Sequence, residues 1–535
     1  MSQDKVSNQV TTTLHPSDEE ATVKYNGFDG EDSVQISDSK SEKDEKRSAS
    51  TISEDEIEKT FTVDDAVEAL GFGPFQMKLA ALTGIVWMAD AMEMTILAVI
   101  LPALKCEWNI SSFEQAMMTT IVFCGMMLSS TFWGNICDKH GRKKGLTCSA
   151  VMTFVMGSLC AISPNYYVLL ILRGLTGFGV GGVPQCVTLF AEFLPIAHRA
   201  KCVLLIEAFW SFGTAFEAML ALLVMEPLGW RYLLFFSSMP LLIYCVCCFW
   251  LPESARYQVT CGDFDGAYKT LAKVAYENGR SLPQGRLINK TASGETTEST
   301  QQMGSIADLF VKDLRVTTIL LWFIWCAISF IYYGLVLFTT VLYQSDDQCH
   351  GGSTLGNDTA MAVCRHLDKE DYFDILYTTL AEFPGIIVTA VVIELLGRKK
   401  TMGAEFGVFA IFTFLLFFCL QRRTVTIFIF VARAFIAGCF QCAYVYTPEV
   451  YPTTLRAVGL GTASGMARLG AILTPFISQV GAEVSVYIPI GVYGSVAVTG
   501  LIASFLLPIE TKGRKMRVIR FEILKFDLNN CLYEH

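Results

Sequence analysis

The sequence predicts an all-α membrane protein of twelve transmembrane helices, arranged as two six-helix, pseudo-symmetric halves. Three observations carry that prediction. The 535-residue chain is 52% hydrophobic and only 17% charged, against about 25% charged in an ordinary soluble protein. Its apolar residues gather into twelve runs, each close to the about 20 residues that an α-helix needs to cross a bilayer. Several motifs then recur in the second half of the chain at nearly one offset.

The charge is placed unevenly. Residues 1–60 hold 15 Asp/Glu and 7 Lys/Arg, which is most of the chain's net −10. An acidic, Ser-rich stretch with few large apolar residues cannot offset the entropy of ordering itself, so residues 1–75 read as a disordered cytosolic tail. Such a tail is a surface for phosphorylation and for cytosolic partners. The acidic balance argues against nucleic acid as a partner.

The first six runs are 79–102, 116–136, 146–162, 167–190, 202–225 and 232–251, giving an N-terminal bundle over 76–251. The short outer turn SPNYY at 163–167 separates the third run from the fourth. A long polar loop, 252–316, follows. The second six are 317–343, 373–396, 402–420, 424–447, 457–480 and 485–507, giving a C-terminal bundle over 317–508 before a tail at 509–535. Lys139, Arg142, Lys143 and Lys144, then Arg199 and Lys201, then Arg398, Lys399 and Lys400, then the basic residues after 511, all fall on one side. The positive-inside rule makes that side cytosolic. Arg422 and Arg423 are the exception.

The loop at 344–371 is then lumenal or external. Its sequon Asn357-Asp-Thr359 is where glycosylation is physically possible. Asn109-Ile-Ser111 lies too close to the membrane, and Asn289-Lys-Thr291 lies on the cytosolic side. A Cys349–Cys364 bridge suits an oxidising lumen, with Cys106 as a competing partner. Most of the remaining cysteines, as in CVCC at 245–248, read as small buried hydrophobes.

The repeat fixes the two halves. DKHGRKK at 138–144 returns as ELLGRKK at 394–400, and AEFLPIAHRA at 191–200 returns as PEVYPTTLRA at 448–457. LPESAR at 251–256 is echoed by LPIETKGR at 507–514, and Arg173 by Arg433. Duplicated six-helix units are a common build of secondary transporters. GFGVGG at 177–182 spells a dinucleotide fingerprint, but that motif needs a strand before it and a soluble βαβ unit. Inside an apolar run its small residues serve close helix packing instead.

These residues resemble the major facilitator superfamily of transporters over nearly all of residues 75–514. GNICDKHGRKK is similar to that family's loop signature between the second and third helices. The paired Glu-x-x-Pro-x-x-x-Arg and PES/PIE motifs are similar to its sugar-porter and organic-ion branches. WMADAMEM, GFGVGGVPQ, LIEAFW, CFWLPESARY and AYVYTPEVYPT resemble a vesicle branch of the same superfamily. The resemblance implies a gate of ion pairs at the cytosolic helix ends, formed by Asp138, Arg142, Glu192, Arg199, Glu253, Arg256, Glu394, Arg398, Glu449 and Arg456. By the repeat, Glu192 should pair with Arg456 and Glu449 with Arg199. The orientation rule alone also accounts for the basic members of this set.

Asp90 and Glu93 lie inside the apolar stretch GIVWMADAMEMTILAVILP. A charge at mid-membrane costs at least about 2.5–3.5 kcal/mol, so such residues face a cavity or a partner. The resemblance to sugar/proton symporters matches Gly84 and Asp90 to a proton-coupling Asp, and Arg173 to its Arg. At ~1.5 Å per residue, Asp90 lies ~18 Å and Arg173 ~9 Å from the outer helix ends, a gap an Arg side chain can span. Proton coupling through Asp90, Arg173 and Glu93 is one reading, and a static ion pair is the other.

The remaining intramembrane polar groups give a substrate-site set of Glu207, Trp210, Glu217, Tyr332, Tyr333, Glu382, Arg433, Tyr444 and Arg468. Glu382 and Arg433 are a candidate buried pair. Arg468 suits an anionic group on a substrate, while the carboxylates suit a cation or zwitterion, and both alternatives stand. No nucleophile triad, metal cluster or cofactor loop occurs in context, so the reading is not an enzyme and implies no cofactor and no metal. The function expected is secondary active, proton-coupled transport of a small organic solute by alternating access, in the lipid bilayer of a synaptic or other cytoplasmic vesicle. The alternative is a non-transporting vesicle protein of the same fold, with a binding or regulatory role.

Overall fold

Each apolar run folds as a helix because a membrane span must satisfy its backbone hydrogen bonds internally. The computed structural model describes residues 60–288, 305–344, 365–452 and 455–512, without the side chains of 196–201, 203–205 and 457. Among the described residues, twelve long helices stand at the places of the twelve runs. The first half contains α1 (Pro74–Trp108), α2 (Ser112–His140), α3 (Arg142–Cys160), α4 (Tyr166–Glu192), α5 (Ile196–Leu228) and α6 (Trp230–Trp250). The second contains α7 (Arg315–Gln344), α8 (Lys369–Leu396), α9 (Arg398–Leu415), α10 (Arg422–Val450), α11 (Arg456–Pro475) and α12 (Tyr487–Leu506). By length and composition alone, nine of these qualify as spans. The other three, α3, α9 and α11, begin on basic residues.

The helices outrun the apolar runs because polar residues cap them. Ser111 and Glu114 form a capping box at the start of α2, and the Asn165 side chain caps α4. Asn109 closes α1 in the left-handed conformation (φ 52°), so that sequon lies in the tight link between α1 and α2. The fingerprint-like glycines serve packing. A side chain on Gly177 would strike the Val122 carbonyl of α2, and one on Gly179 would strike Thr153 of α3.

Within the halves, α1 packs on α5, α2 on α4, α7 on α11 and α8 on α10. The halves meet along α2 against α11 and α5 against α8, which is one interface type used twice under the repeat. At the opposite end from the basic motifs, the Glu107 carboxylate of α1 accepts from Trp230 (2.5 Å) and Arg231 (2.8 Å) of α6. Arg422, the exception to the basic-side rule, pairs with Asp371 and Asp374 at 2.7 Å each and lies over the Tyr343 ring. Its charge is matched locally.

Two expectations need correction or narrowing. Residues 60–75 are not part of a disordered tail. Thr60–Phe61 pairs in parallel with Arg286–Leu287, and Val63–Leu70 is a helix that buries Val63, Ala66, Val67 and Leu70. The polar composition of the preceding sixty residues hides this apolar stripe. The loop after α6 likewise holds helices Ala255–Thr260 and Phe264–Asn278. Cys349, Cys364 and Asn357 lie outside the described residues. Cys106 and Cys419 are each disulfide-bonded.

Candidate functional site

The deepest charges of the first half form an ion pair, with a partner other than the one expected. Arg173 of α4 binds Glu93 of α1 (Nη1–Oε2 2.6 Å), with both side chains at most 3% exposed. Asp90 does not pair with Arg173. Glu93 lies almost one turn nearer the outer end of α1 than Asp90, on the side from which the long Arg173 side chain reaches it. A side chain at Gly157 of α3 would meet the Glu93 carboxylate. Glu217, expected at the substrate site, belongs to this interior too. Its two oxygens accept from Ser237 at 2.8 and 2.7 Å, within reach of the Glu93–Arg173 field.

Asp90 is left differently placed. It is 4% exposed, and its Oδ1 has no hydrogen-bond partner among the described residues. Glu207 of α5 shares its surroundings and accepts from Trp87 of α1 (3.3 Å) and from Gln441 of α10 (3.4 Å). Arg468 of α11 acts electrostatically on Asp90, on Tyr333 and on Tyr444. It donates to the Ser464 carbonyl (3.2 Å) and hydroxyl (2.8 Å), and its Nε has no partner. The Gln441 Oε1 is also buried and unpartnered. The Trp87 and Trp210 rings lie 5.9 Å apart beside Glu207, and Phe123 of α2 meets Tyr333 of α7 at 4.9 Å. Charges of both signs and four aromatic residues thus converge where the halves face each other.

Next to it, Glu382 of α8 forms the second half's buried pair with Arg433 of α10 at 3.1 Å. The Glu382 carboxylate also accepts from Tyr332 (2.7 Å) and, across the halves, from Ser211 (3.2 Å) and Thr214 (3.3 Å) of α5. Tyr332 in turn accepts from the Trp210 indole at 2.8 Å. Glu382 therefore ties three helices of one half to a helix of the other.

At the basic end, Glu192 meets a cation of its own half and not Arg456, which corrects one expected cross-half pair; the other, Glu449 with Arg199, falls on a side chain outside the described residues. Arg142 pairs with Asp138 (3.0 Å) and Glu192 (3.6 Å). Arg398 pairs with Glu394 (3.3 Å) and, through two nitrogens, with Glu449 (3.0 Å). The two triads are repeats of each other. Glu192 and Glu449 lie near the ends of helices that pack beside Arg142 and Arg398, and among the described side chains each pairs with the cation of its own half. The Arg456 Nε donates to the Pro448 carbonyl (2.8 Å), and the Arg199 side chain lies outside the described residues.

Glu253 does not join an ion-pair gate. It accepts from the backbone nitrogens of Lys143 (3.2 Å) and Ser254 (2.9 Å), which caps α3. Arg256 pairs with Asp64 of the helix that precedes α1.

Several participants escaped the sequence reading. Glu510 caps α9 through the backbone nitrogens of Arg398 (3.0 Å) and Lys399 (3.3 Å), as Glu253 caps α3. The repeat of LPESAR as LPIETKGR holds that signal. Glu405 is 3% exposed and accepts from Thr389 at 2.5 Å. It is a lone carboxylate in an apolar run, which the membrane rule flags. Trp87 and Gln441 carry no sequence signal, because an indole or amide in a span has no distinguishing pattern.

The model of the sugar (and other) transporter family matches residues 35–520. The chain belongs to this family of the major facilitator superfamily. Among its relatives, the svop-1 protein of Caenorhabditis elegans is 64% identical over 86% of this chain and 87% of its own. The synaptic vesicle 2-related protein of Rattus norvegicus is 55% identical over 86% and 82%. The organic cation/carnitine transporter 7 of Arabidopsis thaliana is 36% identical over 85% and 96%. In fold, the partially occluded, inward-open xylose transporter of E. coli matches 82% of the chain and 99% of its own, at a TM-score of 0.63 and 15% identity. A major facilitator chain with these relatives is a multi-pass membrane protein whose family carries solutes, and it is not an enzyme.

Proposed function

We propose that the chain is a proton-coupled secondary transporter of a small organic solute, working by alternating access in a vesicle membrane. The observation that carries this is the placement of Asp90. It is a buried carboxylate at the meeting of the halves, with an oxygen left unpartnered, while the nearby Glu93 is already bound to Arg173. A carboxylate that is neutral in one access state and charged in the other biases the equilibrium between them. Asp90 shares its surroundings with Glu93 of α1, Cys186 of α4, Glu207 of α5, Tyr333 of α7, Tyr444 of α10 and Arg468 of α11. Glu93–Arg173 serves as the packing pair. The vesicle setting rests on the name of the synaptic vesicle 2-related protein.

The test is uptake into proteoliposomes under an imposed pH gradient, screened over organic cations, anions and zwitterions. Asp90→Asn mimics the protonated form, so it should abolish gradient-driven accumulation while sparing binding and counterflow exchange. Normal accumulation by that variant would move the proton elsewhere, with Glu207 next. Binding without accumulation of any solute by the unaltered chain would favour the non-transporting reading, which the acidic, Ser-rich N-terminal stretch supports.

A further inference from the structure

The first half carries a trough at its basic end, on the side that the positive-inside rule makes cytosolic. It measures about 440 Å³ and lies between the start of α1 and the end of α6. Phe75 and Leu79 of α1 and Trp250 of α6 give it apolar walls, and Lys78, Lys273 and Glu277 give it charge. Lys273 and Glu277 belong to the helix Phe264–Asn278 of the loop after α6. That helix is fastened to α1. The Asn278 Oδ1 accepts from the backbone nitrogen of Phe75 (3.1 Å), and its Nδ2 donates to Gln76 (2.9 Å) and to the Leu70 carbonyl (3.3 Å). Glu277 pairs with Lys78 at 3.1 Å. The trough therefore has fixed walls and is formed before anything enters it.

Depth and charge together select its occupant. Trp250 is 68% exposed and Phe249 is 82% exposed. Aromatic side chains left bare at the end of a membrane helix lie at the level of the lipid headgroups. The Lys143 ammonium reaches the Phe249 carbonyl (3.3 Å), which sets the basic motif at the same level. Two lysines stand against one carboxylate. Glu277 is matched by Lys78, and among the described residues Lys273 makes no ion pair within 4.0 Å. A neutral lipid leaves this net positive charge unmatched, and a soluble anion leaves the apolar walls in water. A molecule with an anionic head and an apolar tail meets both demands.

We infer that the trough binds a phospholipid with an anionic headgroup from the leaflet on that side, its headgroup at Lys273 and Lys78 and its upper acyl chain against Leu79 and Trp250. Such a lipid touches α1, α6 and the helix Phe264–Asn278 together, and so braces the basic end of the first half. The inference is independent of the transport reading.

The probe is phosphatidylserine, compared with phosphatidylcholine of the same acyl chains. Each is titrated into the detergent-solubilised full chain, and bound lipids are counted by native mass spectrometry. The first phosphatidylserine should bind more tightly than the first phosphatidylcholine. One lysine beside an anionic lipid is worth a factor of about five, so Lys273→Gln should weaken the first phosphatidylserine by about that factor and leave phosphatidylcholine unchanged. Glu277→Gln removes the opposing charge and frees Lys78, so it should strengthen phosphatidylserine. Ala81 also lines the trough and is exposed, so Ala81→Trp fills the space without changing charge or core, and should weaken phosphatidylserine as well. Lys400→Gln, in the basic motif of the second half, should change nothing at the first site.

Equal affinity of the two lipids for the unaltered chain overturns the inference. So does a loss in Lys400→Gln as large as that in Lys273→Gln, which would mean general attraction to the basic end. Glycerophosphoserine, the headgroup without its chains, should fail to compete at the same concentration. Competition by it equal to that of the lipid would replace the lipid by a soluble anion.

Discussion

Arg173 meets Glu93 and not Asp90 because a helix places side chains by depth as well as by face. The two carboxylates lie on neighbouring faces of α1, three residues apart, and only Glu93 reaches the guanidinium. The consequence is measurable in stability. Removing one partner of a buried pair leaves the other charge uncompensated, which costs about 3–5 kcal/mol. Glu93→Gln should therefore lower the thermal unfolding midpoint of the detergent-solubilised chain strongly. Asp90→Asn removes no contact seen here and should stay within about 0.5 kcal/mol of the parent. Equal losses in the two variants would show that Asp90 also holds the fold together.

At the scale of elements, the starts of α3 and α9 share one device. Gly141 (φ 103°) and Gly397 (φ 91°) turn the chain in a conformation open chiefly to glycine, and each glycine faces the carboxylate that caps the helix after it. Lys143 and Lys399 then reach back to the carbonyls of Phe249 (3.3 Å) and Leu507 (2.5 Å). Gly229 also has a positive φ, 86°, but open space around it. Gly141→Ala and Gly397→Ala should each destabilise by more than about 1 kcal/mol, and by more than Gly229→Ala, in parallel thermal unfolding. Similar losses at all three would leave backbone strain as the whole effect and remove the crowded carboxylates from the account.

The positions of these elements were legible in the sequence. Apolar runs such as 232–251 and 485–507 fell within two residues of Trp230–Trp250 and Tyr487–Leu506. The helix Val63–Leu70 does have a local signal, with Val63, Ala66, Val67 and Leu70 at helical spacing behind a Thr62–Asp65 capping box, but the composition of the long acidic stretch before it outweighs those eight residues.

At the scale of the molecule, the halves touch through α2–α11 and α5–α8, with Ser211 and Thr214 of α5 reaching Glu382 of α8. The triads at the basic end stay within their halves, so they can brace each bundle as a rigid body while the interface between bundles rearranges. A hydrogen bond to a charged group contributes about 1.5–3 kcal/mol. Replacing Ser211 and Thr214 together by Ala should shift the access equilibrium away from the state seen here, changing cysteine-labelling rates at the two ends by about tenfold or more. Unchanged labelling would mean that both bonds persist in every access state. Sidedness has its own test. A glycosidase-sensitive mobility shift should vanish in Asn357→Gln and persist in Asn289→Gln, and the reverse would invert the topology.

The sequence by itself determined the membrane class, the twelve helices, the duplication and the roster of buried charges. Each follows from a local rule: an apolar run of bilayer length, a motif at a repeated offset, a charge where water is absent. Pairing among those charges was decided only by the tertiary structure. Asp138, Arg142 and Glu192 close on one another within a half, Glu217 turns to Ser237, and Glu382 bridges the halves. Which carboxylate meets which cation depends on helix depth, rotation and neighbour, and a difference of one turn, about 5 Å, suffices to exchange partners. Spacing along the chain fixes the face a residue occupies on its own helix. What stands opposite that face is set by how twelve helices pack.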